Sequence, residues 1–167
     1  MIDFEGLYRA HAPSVHRFAL RLSGNGALAE DIVSETFIRV WTARERVDIS
    51  TVGGYLITIA RHLYLDHIAR NRGHDPLGHN STGIQRDTQP GPHAIAQGRA
   101  ELSAVLEDLQ TLPESDRAAL LMRAEEQMSY EEIGAALRIS AGSARLKVHR
   151  ARRKMVDLRM NRENTPV

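Results

Sequence analysis

Phe4, Leu7, Tyr8, His11, Val15, Phe18, Ala19 and Leu22 recur at steps of three and four residues, the stripe of an amphipathic helix. Pro13 is expected to split that helix, because proline cannot donate to the preceding turn yet starts a new helix well. After the turn "SGNG", Ala29, Ile32, Val33, Thr36, Phe37, Val40 and Trp41 form a second stripe, with the acids Glu30, Asp31 and Glu35 lying off it. A third helix follows the loop "RVDISTVGG" and buries Leu56, Ile59, Ala60, Leu63 and Ile68. These stripes can cover one another, which predicts a small helical domain over residues 1–72.

The pattern then stops. "GHDPLGHNSTGIQRDTQPGP" is rich in Gly, Pro, Ser, Thr and His with no sustained apolar period, so residues 73–93 read as a flexible linker. Periodicity resumes with Ile95, Leu102, Val105, Leu106 and Leu109, and Pro113 opens a helix through Leu120, Leu121 and Ala124. In "SYEEIGAALRIS", Ser129 and Glu132 have the spacing of a capping box, in which each side chain satisfies an orphan amide of the other's turn. That helix ends near Leu137, and Ser140 caps another whose inward stripe is Ala144, Val148, Ala151 and Met155. Two short helices joined by so brief a turn match the helix-turn-helix unit, with Gly134 and Ala135 supplying small side chains where the helices approach. The fold class is all-α: two small helical domains, 1–72 and 94–160, a flexible linker between them, and a tail over 161–167.

Composition narrows the chemistry. The 167 residues include no cysteine, which excludes disulfides, thiol nucleophiles and thiolate metal sites and fits a reducing cytosol. No apolar run approaches the ~20 residues a membrane helix needs, and "MIDFEGLYRAHAPS" lacks the blocks of a signal peptide, so the expectation is a cytoplasmic chain without membrane insertion. His62 and His67 are not spaced for one helix face, and His74, His79 and His93 fall in the linker, so no metal or other cofactor is expected. Glu107, Asp108, Glu114, Asp116, Glu125 and Glu126 read as a solvated face. No nucleophile and base, phosphate loop or metal motif is present, and an enzyme is not expected. Trp41, Phe37 and Phe18 read as core, while Tyr55 and Tyr64 are open between core and base stacking.

The net charge of +1 hides an asymmetry: acids dominate from Glu101 to Glu132, whereas Arg138 to Arg162 carries nine Lys/Arg against the single Asp157. With the apolar stripe turned inward, Arg145, Leu146, His149, Arg152 and Arg153 face outward, flanked by Ser143, Lys147 and Arg150. Such cations can neutralise phosphates and release counterions, Arg145 can donate to guanine edges, and Leu146 can touch a thymine methyl. Ser143 and the first amides of the helix can hold a phosphate. The plainer alternative is a solvated basic face that favours a helix C-terminus. Cap, turn, stripe and basic face all agree with duplex DNA.

These residues resemble a known family. "LPESDRAALLMRAEEQMSYEEIGAALRISAGSARLKVHRARRKM" is similar to region 4 of the extracytoplasmic-function (ECF) sigma factors, the promoter-recognition subunits of bacterial RNA polymerase. "AEDIVSETFIRVW" resembles region 2.2, and "GGYLITIARHLYLDHIARNR" resembles regions 2.3 to 2.4. The resemblance implies binding to core RNA polymerase through Asp31, Ser34, Glu35 and Ile38. It implies capture of the opened −10 strand by the loop before Tyr55 and by Tyr55, Arg61, His62, Asp66 and Arg70. The −35 element of promoter DNA would be read by Ser143, Arg145, Leu146, Lys147, His149, Arg150 and Arg153, and an anti-sigma factor is implied as a partner. Ser34, Tyr55, His62, Ala69, Arg138 and Leu146 depart from the family's usual Gln, Trp, Asn, Arg, Gly and polar residue. Two other functions stay open: a free-standing helix-turn-helix regulator, and a sigma-like decoy that binds a regulator.

Overall fold

A computed structural model of the chain describes residues 2–48, 51–72 and 93–166, without the side chains of 93–97. The chain divides into two compact units, Met1–Gly83 and Ile84–Val167. The expected linker over 73–93 lies outside the described residues but for the start of a helix at His93.

The first unit contains α1 (Phe4–Ser23), α2 (Gly26–Thr42) and α3 (Val52–Arg72), with a 3-10 turn at Arg44–Arg46. Asp3 caps α1, its carboxylate accepting from the Gly6 amide at 3.1 Å. Contrary to expectation, Pro13 does not split α1. The ring costs the helix about 3 kcal/mol, but Leu7 before it and Val15, Phe18 and Leu22 after it are all buried, at roughly 1.5–3 kcal/mol each. A break at Pro13 would uncover one set or the other. Gly24 ends α1 at φ 67, a left-handed conformation that glycine adopts without strain, and Asn25 immediately caps α2 by accepting from the Leu28 amide at 3.1 Å.

The core between these helices is formed by Val15, Phe18, Leu22, Ile32, Val40, Leu56, Ile57 and Ala60 among others, and Tyr64 joins it. Several expectations at its edge need correction. Ile68 is only half-buried, and α3 begins at Val52, so the last residues of "RVDISTVGG" are helical; Ile49 and Ser50 of that loop lie outside the described residues. Trp41, expected in the core, is 47% exposed, and Tyr8 is 44% exposed. Both sit in an edge-to-face aromatic cluster with Phe4 and Phe37 at the open end of the α1–α2 pair, where ring contacts replace full burial.

The second unit contains α4 (His93–Gln110), α5 (Glu114–Ala124), α6 (Tyr130–Leu137) and α7 (Ala141–Glu163). Leu106, Leu109, Leu112, Leu121, Met122, Ile133 and Val148 fill its core. Pro113 occupies the N-cap of α5, and the buried Arg117 donates to the carbonyls of Leu109 and Leu112 at 3.4 and 3.0 Å, satisfying the end of α4. The capping box at Ser129 and Glu132 forms in both directions, at 3.0 and 3.1 Å. Ser140 caps α7 by accepting from the Ser143 amide at 3.0 Å. Past Met155, α7 continues to Glu163.

The turn between α6 and α7 is set by two residues. Arg138 adopts φ 57 and ψ 47, taking the left-handed place that glycine usually fills, and the Ile139 amide returns to the Gly134 carbonyl at 2.9 Å. At Gly134 a Cβ would lie 2.7 Å from the Ile139 carbonyl oxygen and 3.3 Å from the Ser140 and Ala141 backbone. Backbone cannot swing aside as a flexible side chain would, so only glycine fits.

In denaturant unfolding, Gly134→Ala is therefore expected to cost about 1–3 kcal/mol, the range for forced overpacking. Arg138→Gly is expected to gain up to about 1 kcal/mol, because relief of the left-handed strain exceeds the added backbone entropy.

Candidate nucleic-acid interface

Helix α7 buries only Ala144, Val148 and Ala151. The opposite side carries Arg145, Leu146, His149, Arg152 and Arg153, all exposed, with Leu146 at 68%. Among the described residues the side chains of Arg145, His149, Arg152 and Arg153 make no hydrogen bond within the protein, which leaves their donors facing water. Ser143 is exposed as well, but its amide is held by the Ser140 cap and its hydroxyl accepts from Ser140 Oγ at 2.9 Å.

The two flanking cations are placed differently. Asp116, in the first turn of α5, accepts from Arg150 Nε at 2.9 Å and Arg150 Nη2 at 3.0 Å, a bidentate pair. Lys147 Nζ lies 3.1 Å from Ser115 Oγ and 3.4 Å from the Asp116 carboxylate. Asp116 was expected on a solvated face; it is buried because α7 folds over the start of α5 and supplies its counter-charges. Asp108 departs from that expectation too, being buried and paired with Arg162 at 2.6 Å. Nothing in a one-dimensional count of acids could show this, since each pair spans more than thirty residues of chain, 34 for Asp116–Arg150.

Burial would push the Asp116 carboxyl up, but the Arg150 hydrogen bonds and the charges of Arg150 and Lys147 outweigh it and hold the group below its ordinary value. The same contact raises Arg150.

In the first unit, Tyr55, His62, Asp66 and Arg70 follow one line along α3 at steps of seven and four, and all are exposed. Arg61 stands off that line and is half-buried. Asp31, Ser34, Glu35 and Ile38 share one exposed side of α2, Ile38 being 57% exposed. Beside that side runs an apolar groove of about 400 Å³ lined by Phe4, Tyr8, Ser34, Phe37, Ile38 and Trp41. Sequence reasoning missed it, because Phe4, Tyr8 and Trp41 lie on inward stripes; their place near the helix ends was the only signal. Among the described residues no group of three or more His, Asp or Glu side chains is arranged to hold a metal ion, and no helix is long and apolar enough to cross a membrane.

A helix-turn-helix unit with a basic outer face, paired in one chain with an all-helical unit that exposes an apolar and acidic side, defines a two-part DNA-binding transcription factor. Residues 7–74 match the family Sigma-70 region 2, and residues 102–155 match Sigma-70, region 4. The chain is 37% identical over 163 residues to the ECF RNA polymerase sigma factor SigE of Mycolicibacterium smegmatis, covering 94% of this chain and 62% of that protein's length. It is 35% identical over 159 residues to the RNA polymerase sigma factor CarQ of Myxococcus xanthus, covering 93% of this chain and 88% of that one. The chain belongs to the ECF sigma factors. Its fold is shared with the sigma factor RpoE in the co-crystal structure with the anti-sigma factor NepR from Bartonella quintana, at a TM-score of 0.73 and 23% identity over 93% of this chain and 96% of that one. CnrH in complex with the cytosolic domain of CnrY gives a TM-score of 0.68 at 22% identity, over 93% and 86%.

Because the folded pKa of Asp116 lies below its unfolded value of about 3.9, its stabilisation of the second unit is complete above that pH and lost as pH falls through the folded value. Hydrogen exchange at the α5 and α7 amides should lose protection over that acid range, and Asp116→Asn should remove this limb of the profile while lowering protection at neutral pH.

Proposed function

We propose that this protein binds core RNA polymerase in the cytoplasm, recognises a promoter through −35 and −10 elements, and starts transcription of a specific regulon. The observation that carries the reading is the exposed basic face of α7, with Arg145, Leu146, His149 and Arg153 turned to solvent on a helix fixed by a close turn at Gly134. A helix presented in this way enters a major groove, its cations meeting phosphates and base edges. Region 2 and region 4 matches in this order supply the second handle. In it, the α3 line of Tyr55, His62, Asp66 and Arg70 holds the −10 strand, an aromatic ring for stacking beside groups that can hydrogen-bond an unstacked base. Arg61 acts from beside that line. Asp31, Ser34, Glu35 and Ile38 form the polymerase contact, and the neighbouring groove offers Tyr8 and Trp41 to an apolar side chain of the same partner. An anti-sigma factor is the corresponding regulatory partner, in line with the complex of the RpoE neighbour.

Run-off transcription with bacterial core polymerase and fragments of the cognate genome tests this reading. New discrete start sites are expected only when the protein is added. Arg145→Ala and His149→Ala should each reduce their yield on the order of 10-fold, the scale of one lost base contact, while capture of core polymerase stays unchanged. Ile38→Asp should do the reverse, weakening capture. Tight duplex binding without polymerase and without transcripts would instead indicate a free-standing regulator.

A further inference from the structure

Building on the reading of α7 as the duplex-reading helix, we propose that Asp116 is a specificity-determining positioning residue, which holds Arg150 so that its free guanidinium edge reads a guanine and which withdraws Lys147 from the reading face. A guanidinium has five N–H donors in a rigid fork. Asp116 takes Nε–H and one Nη2–H, at 2.9 and 3.0 Å. Left over are the two Nη1–H groups and the outer Nη2–H, so a matched pair of donors points along the end of the fork. Guanine presents O6 and N7 as a matched pair of acceptors in the major groove.

The exposures separate the three groups. The Arg150 side chain is 65% exposed although its inner edge is bonded, whereas that of Asp116 is 4% exposed. Lys147 is 22% exposed, its ammonium held by Ser115 and Asp116. Thus the lysine is turned toward α5 while the arginine is braced outward. The brace itself is fixed: Asp116 lies in the first turn of α5, beside Arg117, whose guanidinium is anchored on the Leu109 and Leu112 carbonyls. Arg152 and Arg153 have no such brace among the described residues and suit phosphates, which accept from many directions. A braced arginine loses little freedom on binding, and a fork turned away from its axis cannot meet both acceptors at once.

The test is selection from randomised duplex DNA by the full chain, with and without core polymerase, for the wild type and for Arg150→Lys, Asp116→Asn and Asp116→Ala. The wild type should enrich one guanine whose preference falls on the order of 10-fold in Arg150→Lys and in both Asp116 variants, while preferences at other positions persist. Arg150→Lys keeps a positive charge beside Asp116, and the helical circular dichroism and thermal unfolding of each variant, read alongside the selection, separate a lost guanine contact from a loosened α7. Asp116 variants that weaken all positions equally would reduce the residue to a structural role and overturn the proposal. So would a guanine preference lost in Arg150→Lys but retained without Asp116. A wild type that enriches a sequence with no Arg150-dependent guanine sinks this proposal alone; one that enriches nothing, even with polymerase, sinks the promoter-recognition reading with it.

Discussion

A helix that reads DNA has to be polar over most of its surface, and such a helix has little apolar area with which to hold itself to its own domain. Helix α7 meets this constraint in an acute form, burying only Ala144, Val148 and Ala151 along Ala141–Glu163. One valine and two alanines, with Met155 and Leu158 half-buried beyond them, supply only a few kcal/mol of burial, on a scale of about 25 cal/mol per Å². The rest of the anchorage is directional. At its start α7 is tied by the Ser140 cap and the close turn at Gly134, in the middle by Arg150 and Lys147 on Asp116, and near its end by Arg162 on Asp108. Directional ties fix rotation about the helix axis as well as position, and rotation decides which side chains face the groove.

The same constraint explains which features were legible in the sequence. Local signals are legible because their causes are local: the Ser129–Glu132 capping box, the Ser140 cap, and the stripe of Ala144, Val148 and Ala151, which fades to a half-buried Met155, each follow from spacing within a few turns. Arg138 shows how far a local rule bends. The left-handed turn persists without glycine, since the Ile139 amide and the tight approach at Gly134 over-determine it. Features that depend on distant partners were not legible. Asp116 and Asp108 look like surface acids until α7 is laid across α5 and α4, and Pro13 looks like a break in its stripe until Leu7 on one side and Val15, Phe18 and Leu22 on the other are found buried in one core.

The first unit follows the opposite logic. Its core is wide, drawing large residues from α1, α2 and α3, so burial does most to fix the helices and their outer faces are free to specialise. Ile38, Trp41 and Tyr8 stay exposed at the edge of that core, apolar area that folding leaves uncovered. The expectation that Trp41 is core came from its place on the stripe, yet a stripe reports only which side of a helix faces inward. It does not report where along its length the neighbouring helices stop covering it.

Charge is the last place where count and geometry part. The nine cations between Arg138 and Arg162 suggest a uniformly attractive segment. Of these, Lys147, Arg150 and Arg162 are engaged with carboxylates on α4 and α5, and Arg159 pairs with Glu163 on α7 itself. The Arg159–Glu163 pair is exposed and weak, at most about 1 kcal/mol, and yields readily to a phosphate. The Asp116 pairs do not, because releasing them would leave a buried carboxylate without its counter-charges. On the proposed reading, sequence-independent attraction to the backbone falls chiefly to Arg152, Arg153 and Lys154, while the cations tied to Asp116 are constrained to one geometry. A protein that must leave most DNA quickly and stay on a few sites gains from that division, since freely placed cations raise affinity for every sequence alike and a fixed one distinguishes among them.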